Sequence, residues 1–151
     1  MSEKVVATNK AARRDYHILD SYEAGIELAG TEVKSLRSSK ANLKDSFARI
    51  EGSQIFLYNM HISPYAFGNI ANLEPKRPRR LLLHKAQIKK LIGQINIKGF
   101  TLIPLKAYIK RGLVKIELAL AKGKRSFDKR ETIKSREAAR EMQRALRMKN
   151  R

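Results

Sequence analysis

Two neighbouring stretches of alternating apolar and polar residues constrain the fold of this sequence more than any other feature. Apolar side chains recur at positions 103, 105, 107 and 109, and again at 114, 116, 118 and 120. Successive strand residues point to opposite faces, so this period predicts two half-buried β-strands. Arg111-Gly112 lies between them and suits a tight antiparallel connection. A hairpin alone is barely stable, so its apolar face requires further strands.

Other segments supply these strands and add short helices. Residues 16–28, 47–50 and 54–58 show strand-like alternation, the last two around a short loop at Glu51-Gly52-Ser53. Apolar residues at 88, 91, 92 and 95 recur at helical spacing after His84, and Thr31 is a candidate N-cap for a helix over 31–38. We therefore expect a mainly β protein with short helices. A small β-barrel of OB-fold type is the first choice, and a ferredoxin-like α+β sandwich is the second.

The charge balance restricts the partner. The 151 residues include 33 Lys and Arg against 14 Asp and Glu, which gives a formal net charge of +19. Such a charge favours a polyanionic partner, with nucleic acid first and an anionic membrane surface second. No apolar run approaches the roughly 20 residues that span a bilayer, no signal peptide follows Met1, and cysteine is absent. These features predict a cytoplasmic protein without a transmembrane segment.

Composition divides the chain into three parts. We expect residues 1–14 to form a polar, basic N-terminal arm, residues 15–127 the barrel, and residues 128–151 a basic C-terminal tail. The tail has nine basic against four acidic residues, strong helix formers and little apolar surface. Because most helix stability comes from packing, we expect a helix over 132–149 to form on a polyanion. A solvated helix held by surface ion pairs is the alternative.

The sequence offers little for catalysis. His17, His61 and His84 lie far apart and lack metal-ligand spacing, and no phosphate-binding loop or hydrolase motif is present. Glu23, close to Gly25 at an expected strand irregularity, is the acid of most interest, although local sequence favours an ordinary strand-surface carboxylate. We expect no enzyme activity, metal or cofactor.

A proline-stiffened basic loop, residues 74–80, runs directly into Leu81-Leu82-Leu83-His84. Strand alternation predicts that Leu81 and Leu83 are core residues and that Leu82 faces outward. Cations beside apolar and aromatic side chains are typical of RNA-binding surfaces. The residues concerned are Lys76, Arg77, Arg79, Arg80 and Lys85, with Tyr65, Phe67 and Leu82. The alternative is a solvated basic loop beside an ordinary core strand.

Ordered motifs along the whole chain resemble one family. They are Asn9-Lys-Ala-Ala-Arg13, Tyr22-Glu-Ala-Gly-Ile26, Gly30-Thr-Glu-Val-Lys-Ser-Leu-Arg37, Lys40-Ala-Asn-Leu-Lys-Asp-Ser46, Asn59-Met-His-Ile-Ser-Pro-Tyr65, Arg80-Leu-Leu-Leu-His-Lys85, Ala121-Lys-Gly-Lys124 and Asp128-Lys-Arg130. With them the chain resembles the small protein B family, the SsrA-binding proteins of bacterial trans-translation.

The resemblance implies an OB-fold barrel that binds the tRNA-like domain of tmRNA as a monomer. It also implies delivery of alanyl-tmRNA, with elongation factor Tu, to stalled ribosomes, where the tail lies in the empty mRNA channel beside the decoding centre. The implied RNA-binding residues are Glu23, Lys34, Arg37, Arg79, Arg80, Leu82, His84 and Lys85. The implied ribosome-directed tail residues are Phe127, Asp128, Lys129, Arg130, Lys134, Arg136, Arg140 and Arg144.

Two positions depart from the family pattern. His84 stands where members often carry Asn, and both side chains can hydrogen-bond a base. Phe127 stands where others carry His or Tyr, which suits stacking but removes an imidazole. Three rival functions remain open at this point: a general single-strand RNA chaperone on the same fold, a peripheral membrane protein, and, least favoured, an RNA-modifying enzyme.

Overall fold

The computed structural model describes residues 3–65, 73–124 and 137–145. In this part of the chain the strands are β1 (Lys4–Thr8), β2 (Tyr16–Ile26), β3 (Ala41–Asn42), β4 (Phe47–Glu51), β5 (Gln54–Tyr58), β6 (His61–Ile62), β7 (Arg79–Leu82), β8 (Phe100–Lys110) and β9 (Leu113–Gly123). The helices are α1 (Ala12–Asp15), α2 (Gly30–Arg37) and α3 (Lys85–Ile95). Residues 137–145 are also helical.

The main sheet closes on itself. Its strand order is β1-β8-β4-β5-β7-β2-β9, and β9 pairs back onto β8. Every one of these pairings is antiparallel. The result is an OB-type barrel of six strands, with β1 added to β8 beside β4. The prediction of mainly β structure with short helices is confirmed.

The β8–β9 hairpin forms where the alternation predicts it, around Arg111 at φ 52° and Gly112 at φ 78°. Its second strand follows the pattern, because the side chains at 114, 116, 118 and 120 all enter the main core. Its first strand does not. The pairing with β9 shifts between Pro104 and Lys106, and such a bulge reverses which face each following residue occupies.

Strand β8 therefore contributes to two apolar clusters. Leu102 and Ala107 lie in the main core, whereas Ile103 and Leu105 pack in a second cluster with Ala12 of α1. Ala119 and Ala121 of β9 complete the buried part of that cluster. The expectation that positions 103–109 share one face is wrong, because a single period cannot describe a bulged strand.

The N-terminal residues also differ from the prediction of an arm outside the barrel. Residues 4–8 are strand β1, paired with β8, and α1 follows directly. The Asn9 amide Nδ2 donates to the Pro104 carbonyl at 2.9 Å, and the Asn9 backbone N–H donates to the Leu105 carbonyl at 2.8 Å. The bulge in β8 thus offers two carbonyls that hold the N-terminal segment against the barrel.

A buried ion pair joins α2 to β7. Arg79 is only 1% exposed, and its Nε donates to Glu32 Oε2 at 2.6 Å. The same guanidinium donates to the carbonyls of Met60 and Pro75, at 2.6 and 2.9 Å. Arg77 reaches the other carboxylate oxygen of Glu32 at 2.5 Å. Two guanidinium groups therefore bind one carboxylate and two backbone carbonyls, and these bonds fasten the basic loop to the barrel.

The surroundings of this pair keep both groups ionised. Burial alone would raise the pKa of Glu32, but hydrogen bonds from Arg77, the Ala29 amide and Arg79 hold that pKa below its ordinary value. Ala29 is also the N-cap of α2, and its backbone N–H donates to Glu32 Oε1 at 2.9 Å across the first turn of that helix. Thr31, the N-cap expected from the sequence, lies inside the helix instead.

We predict that Arg79→Met lowers the free energy of unfolding by about 3 kcal/mol or more, because removing one member of a buried pair leaves a charge without its partner. Chemical denaturation measures the change. Arg80→Met is the matched control, since the Arg80–Glu27 pair is exposed and its loss costs less than about 1 kcal/mol. Equal effects of the two substitutions would show that the buried pair has no special importance.

Candidate RNA interface

Leu82 lies on the outer face of the barrel beside Gly25. The two residues pair across β7 and β2, and Leu82 is 44% exposed while its neighbour Leu81 is buried. The predicted orientations of Leu81 and Leu82 are therefore confirmed. A Cβ atom at position 25 would lie 3.2 Å from the Leu82 Cβ, which is closer than most real contacts. The glycine thus leaves the space in which the leucine side chain rests.

A shallow cleft of about 220 Å³ extends from this pair to the β8–β9 turn. Leu113, which is 62% exposed, stands on its far side. The lining residues are Gly25, Ile26, Leu28, Val33, Leu82, Gly112, Leu113, Val114 and Lys115. Two exposed leucines flanking an apolar cleft form a surface on which a flat apolar group can bind.

Leu113 was not among the residues that the sequence singled out. Its signal is nonetheless present: it follows Gly112 in the turn and is out of phase with the apolar face that begins at Val114. A large apolar residue at such a position must face outward. An exposed leucine at a hairpin tip is therefore a recognisable candidate contact residue.

Glu23 lies two residues before Gly25 on β2 and is exposed. Its Oε1 accepts a hydrogen bond from the Tyr108 hydroxyl at 2.9 Å and lies 3.5 Å from Lys110 Nζ. The Tyr108 hydrogen bond is the main reason that the pKa of Glu23 lies below its ordinary value. Burial has a smaller, opposite effect, and the charges of Lys110 and Lys115 lower the pKa further. Glu23 therefore presents a fixed, ionised hydrogen-bond acceptor at neutral pH.

Arg80 and His84 lie on either side of Leu82 along the chain. Arg80 is half-buried and pairs with Glu27 at 3.1 Å, and His84 is exposed. His84 is the N-cap of α3, and its backbone N–H donates to Gln87 Oε1 at 3.1 Å. The predicted start of this helix is confirmed. Lys85, its first residue, is also exposed and adds a cation next to His84.

Arg79 does not belong to this surface. The sequence analysis places it among the RNA-binding residues, but its side chain is buried against Glu32 and the carbonyls of Met60 and Pro75. Burial lowers the pKa of Arg79, and the hydrogen bond with Glu32 offsets only part of that effect. Its prediction as a direct contact is wrong, because a strand that presents Arg80 and Leu82 outward must turn Arg79 inward.

The two cations of α2 are exposed but differ in position. Lys34 follows the cleft residue Val33, and its Nζ lies 5.4 Å from the centroid of the Tyr65 ring. Arg37 ends the helix, where its carbonyl accepts a hydrogen bond from Lys4 at 2.8 Å. Neither Lys34 nor Arg37 is among the residues that line the cleft.

Most predicted tail residues lie outside the described part of the chain, as does Phe67. Those outside are Phe127, Asp128, Lys129, Arg130, Lys134 and Arg136. Arg140 and Arg144 lie one turn apart in the helix of residues 137–145, every residue of which is exposed. This segment is consistent in type with the helix predicted for the tail, and its exposed surface leaves the charges available to a partner.

Within residues 3–65, 73–124 and 137–145, no group of three or more His, Asp or Glu side chains is arranged to hold a metal ion. In the same residues, no helix has the length and apolar character needed to cross a membrane.

We predict that Tyr108→Phe raises the pKa of Glu23 towards its ordinary value, because the largest stabilising hydrogen bond to the carboxylate is removed. An NMR titration of the side-chain carboxyl carbons measures this shift. Tyr22→Phe is the control, since the Tyr22 hydroxyl bonds to Asp20 instead. A Glu23 pKa that is the same in wild type and Tyr108→Phe would contradict this account.

Comparison with known proteins agrees with these features. The family model described as SmpB protein matches residues 6–148. An SsrA-binding protein of Caldanaerobacter subterraneus subsp. tengcongensis is 60% identical over 97% of this chain and 92% of its own length. The corresponding protein of Shouchella clausii is 59% identical over 95% of this chain and 92% of its own.

Solved structures give the same result. A chain from a structure described as "tmRNA-SmpB: a journey to the center of the bacterial ribosome" superimposes with a TM-score of 0.68. It is 49% identical in sequence, and the match covers 83% of this chain and 92% of that one. The chain therefore belongs to the SmpB family of SsrA-binding proteins.

Proposed function

We propose that this chain binds the tRNA-like domain of tmRNA and carries it to stalled ribosomes, where the nascent peptide is tagged for degradation. The observation that carries the proposal is the cleft between Leu82 and Leu113, which Lys115 also lines, with the exposed carboxylate of Glu23 two residues from Gly25 along β2. Relatives about 60% identical are named SsrA-binding proteins, and the structural match comes from a tmRNA complex of the ribosome.

The chemistry of this surface suits unpaired RNA bases. Exposed leucines can pack against the flat face of a splayed base, while Arg80, Lys85 and Lys115 offer positive charge to nearby phosphates. Glu23 repels phosphate but accepts hydrogen bonds from base N–H groups. This surface therefore favours an RNA whose folded loops expose unpaired bases over a duplex, which presents mainly phosphates.

The C-terminal helix would contact the second partner, the ribosome. Its exposed Arg140 and Arg144 suit a channel lined by ribosomal RNA, and the apolar surface of the helix is too small to hold it on the barrel by itself. Docking of the tail would be weak alone and effective only once the barrel is tethered beside the channel. Delivery of alanyl-tmRNA with elongation factor Tu, in the cytoplasm, completes the proposed cycle.

We predict that Leu82→Ala and Leu113→Ala each weaken binding to a tRNA-like tmRNA fragment about tenfold, since full burial of a leucine side chain contributes about 1.5–3 kcal/mol and a base covers only part of it. Binding is measured by titration at physiological salt, beside an RNA hairpin of equal length. Leu19→Ala is the control, because Leu19 is 49% exposed on β2 but does not line the cleft.

Two results would contradict the proposal. Unchanged affinity in Leu82→Ala and Leu113→Ala would remove the cleft from the interface. Equal binding of both RNAs to the wild-type chain, with the same steep dependence on salt, would show a general RNA chaperone that contacts only phosphates.

The tail has its own test. We predict that the double substitution Arg140→Ala and Arg144→Ala leaves binding of the tRNA-like fragment unchanged but reduces peptide tagging on stalled ribosomes in a reconstituted translation system. The reason is that these charges lie outside the barrel. Glu137→Gln with Glu141→Gln, on the same helix, is the control and retains tagging. Parallel loss of both activities in the arginine variant would refute the division of work between barrel and tail.

A further inference from the structure

Two clefts larger than the one beside Leu82 lie towards the opposite end of β2. Two adjoining clefts, of about 320 and 540 Å³, share Asn9, Ala11, Asp15 and Asp45. The smaller, the inner cleft, is lined further by Ala12, Tyr16, Ser46, Phe47, Thr101 and Ile103. The larger, the outer cleft, is lined further by Thr8, Lys10, Arg14, Ala41, Asn42 and Lys44. At about 3.3 Å per residue, Tyr16 lies up to roughly 30 Å along β2 from Gly25.

The inner cleft combines aromatic and polar groups. Tyr16 and Phe47 are half-buried in its lining, and the Phe47 ring is held by stacking on Tyr58, with 5.5 Å between ring centroids. Ser46 is buried, and its hydroxyl has no hydrogen-bond partner among the described residues. The volume falls in the range of about 300–1,000 Å³ that is usual for small-ligand sites. These properties suit a flat, polar, aromatic ring.

Carboxylates determine which ring fits. Asp15 and Asp45 line both clefts, and Asp45 is held at φ 61° in the loop before β4. The Asn42 side chain shapes this loop by accepting the Lys44 N–H at 2.8 Å. A carboxylate accepts two adjacent N–H groups, and among the RNA bases guanine presents such a pair on its Watson–Crick edge. Adenine presents a donor beside an acceptor and fits less well.

Charge separates the outer cleft from the inner one. Lys10, Arg14 and Lys44 line only the outer cleft, and all three are exposed. Arg14 pairs with Asp15 at 3.1 Å, at the boundary of the two spaces. Both carboxylates line each cleft, so the three cations of the outer cleft and the aromatic rings of the inner cleft are what distinguish the two spaces. This arrangement suits a nucleotide with its phosphate in the outer cleft and its base in the inner cleft.

We propose that this double cleft binds one unpaired guanine nucleotide of an RNA, with the base in the inner cleft and the phosphate in the outer cleft. The site is separate from the Leu82 face and goes beyond the tRNA-like binding proposed for it. It also lies beside the end of β9, since the Lys124 N–H donates to the Asp15 carbonyl at 2.8 Å. RNA bound here meets the protein next to the start of its C-terminal segment.

The test is an NMR titration of the full-length, ¹⁵N-labelled protein with GMP, AMP, CMP and UMP. We expect GMP to shift the amide signals of Asn9, Asp15, Asp45 and Thr101, to leave those of Leu82 and Leu113 in place, and to bind at least fivefold more tightly than AMP. In Asp45→Asn the preference for GMP over AMP is lost. Asparagine tolerates positive φ, so this variant keeps the loop. Asp20→Asn, an exposed carboxylate of β2 outside both clefts, retains the preference.

Three results would overturn the proposal. They are equal affinity for all four nucleotides, shifts spread over the basic surface without a maximum at the clefts, and an unchanged preference in Asp45→Asn. Binding of the tRNA-like fragment gives an independent readout, which Asp45→Asn leaves unchanged. Failure of guanine binding with intact fragment binding therefore refutes only the second site, and the reverse result refutes only the function proposed for the Leu82 face.

Discussion

The buried pair of Arg79 and Glu32 fixes the orientation of the strand that carries the candidate RNA interface. Strand side chains alternate between faces, so an Arg79 that is held inward forces Arg80 and Leu82 outward. A slip of one residue would bury Arg80, expose Leu81 and leave Glu32 with an incomplete set of donors. The Glu32 carboxylate thus influences the RNA face through Arg79, although Arg79 itself is buried. The buried ion pair therefore determines which side chains of β7 face outward.

The bulge between Pro104 and Lys106 has a comparable role at the other end of the barrel. By reversing the faces of β8, it creates a second apolar cluster outside the main core and turns two backbone carbonyls towards Asn9. Helix α1 and the start of β2 then have a surface on which to pack. The inner cleft lies between these elements and β4. Both candidate sites are therefore consequences of strand geometry, one set by an ion pair and the other by a bulge.

Local periodicity predicts the parts of this structure that depend on neighbouring residues. The β8–β9 hairpin, the outward Leu82 and the helix that begins after His84 all follow from patterns of two to four residues. It fails for Arg79, whose partner Glu32 is 47 positions away and whose own segment has the composition of a solvated loop. Local periodicity also fails for the faces of β8, because a bulge interrupts the alternation, and for β1, because five residues are too few to show a clear period. The clefts depend on residues from two to four separate segments, which no local pattern brings together.

Affinity and selectivity come from opposite charges in this chain. The 33 basic residues against 14 acidic ones give a net charge of +19, which attracts any RNA. Attraction to phosphate contains no information about sequence. Each carboxylate on an RNA-facing surface repels phosphate and so lowers the affinity for RNA. A specific hydrogen bond from a base N–H to the carboxylate can offset that lost affinity. Tyr108 and Lys110 fix Glu23 in its ionised form beside the Leu82 cleft, and a turn fixes Asp45 beside the second. Rigidly held carboxylates in a strongly basic protein are consequently the groups to examine first for discrimination between bases, whereas the surrounding lysines and arginines determine how tightly any RNA is held.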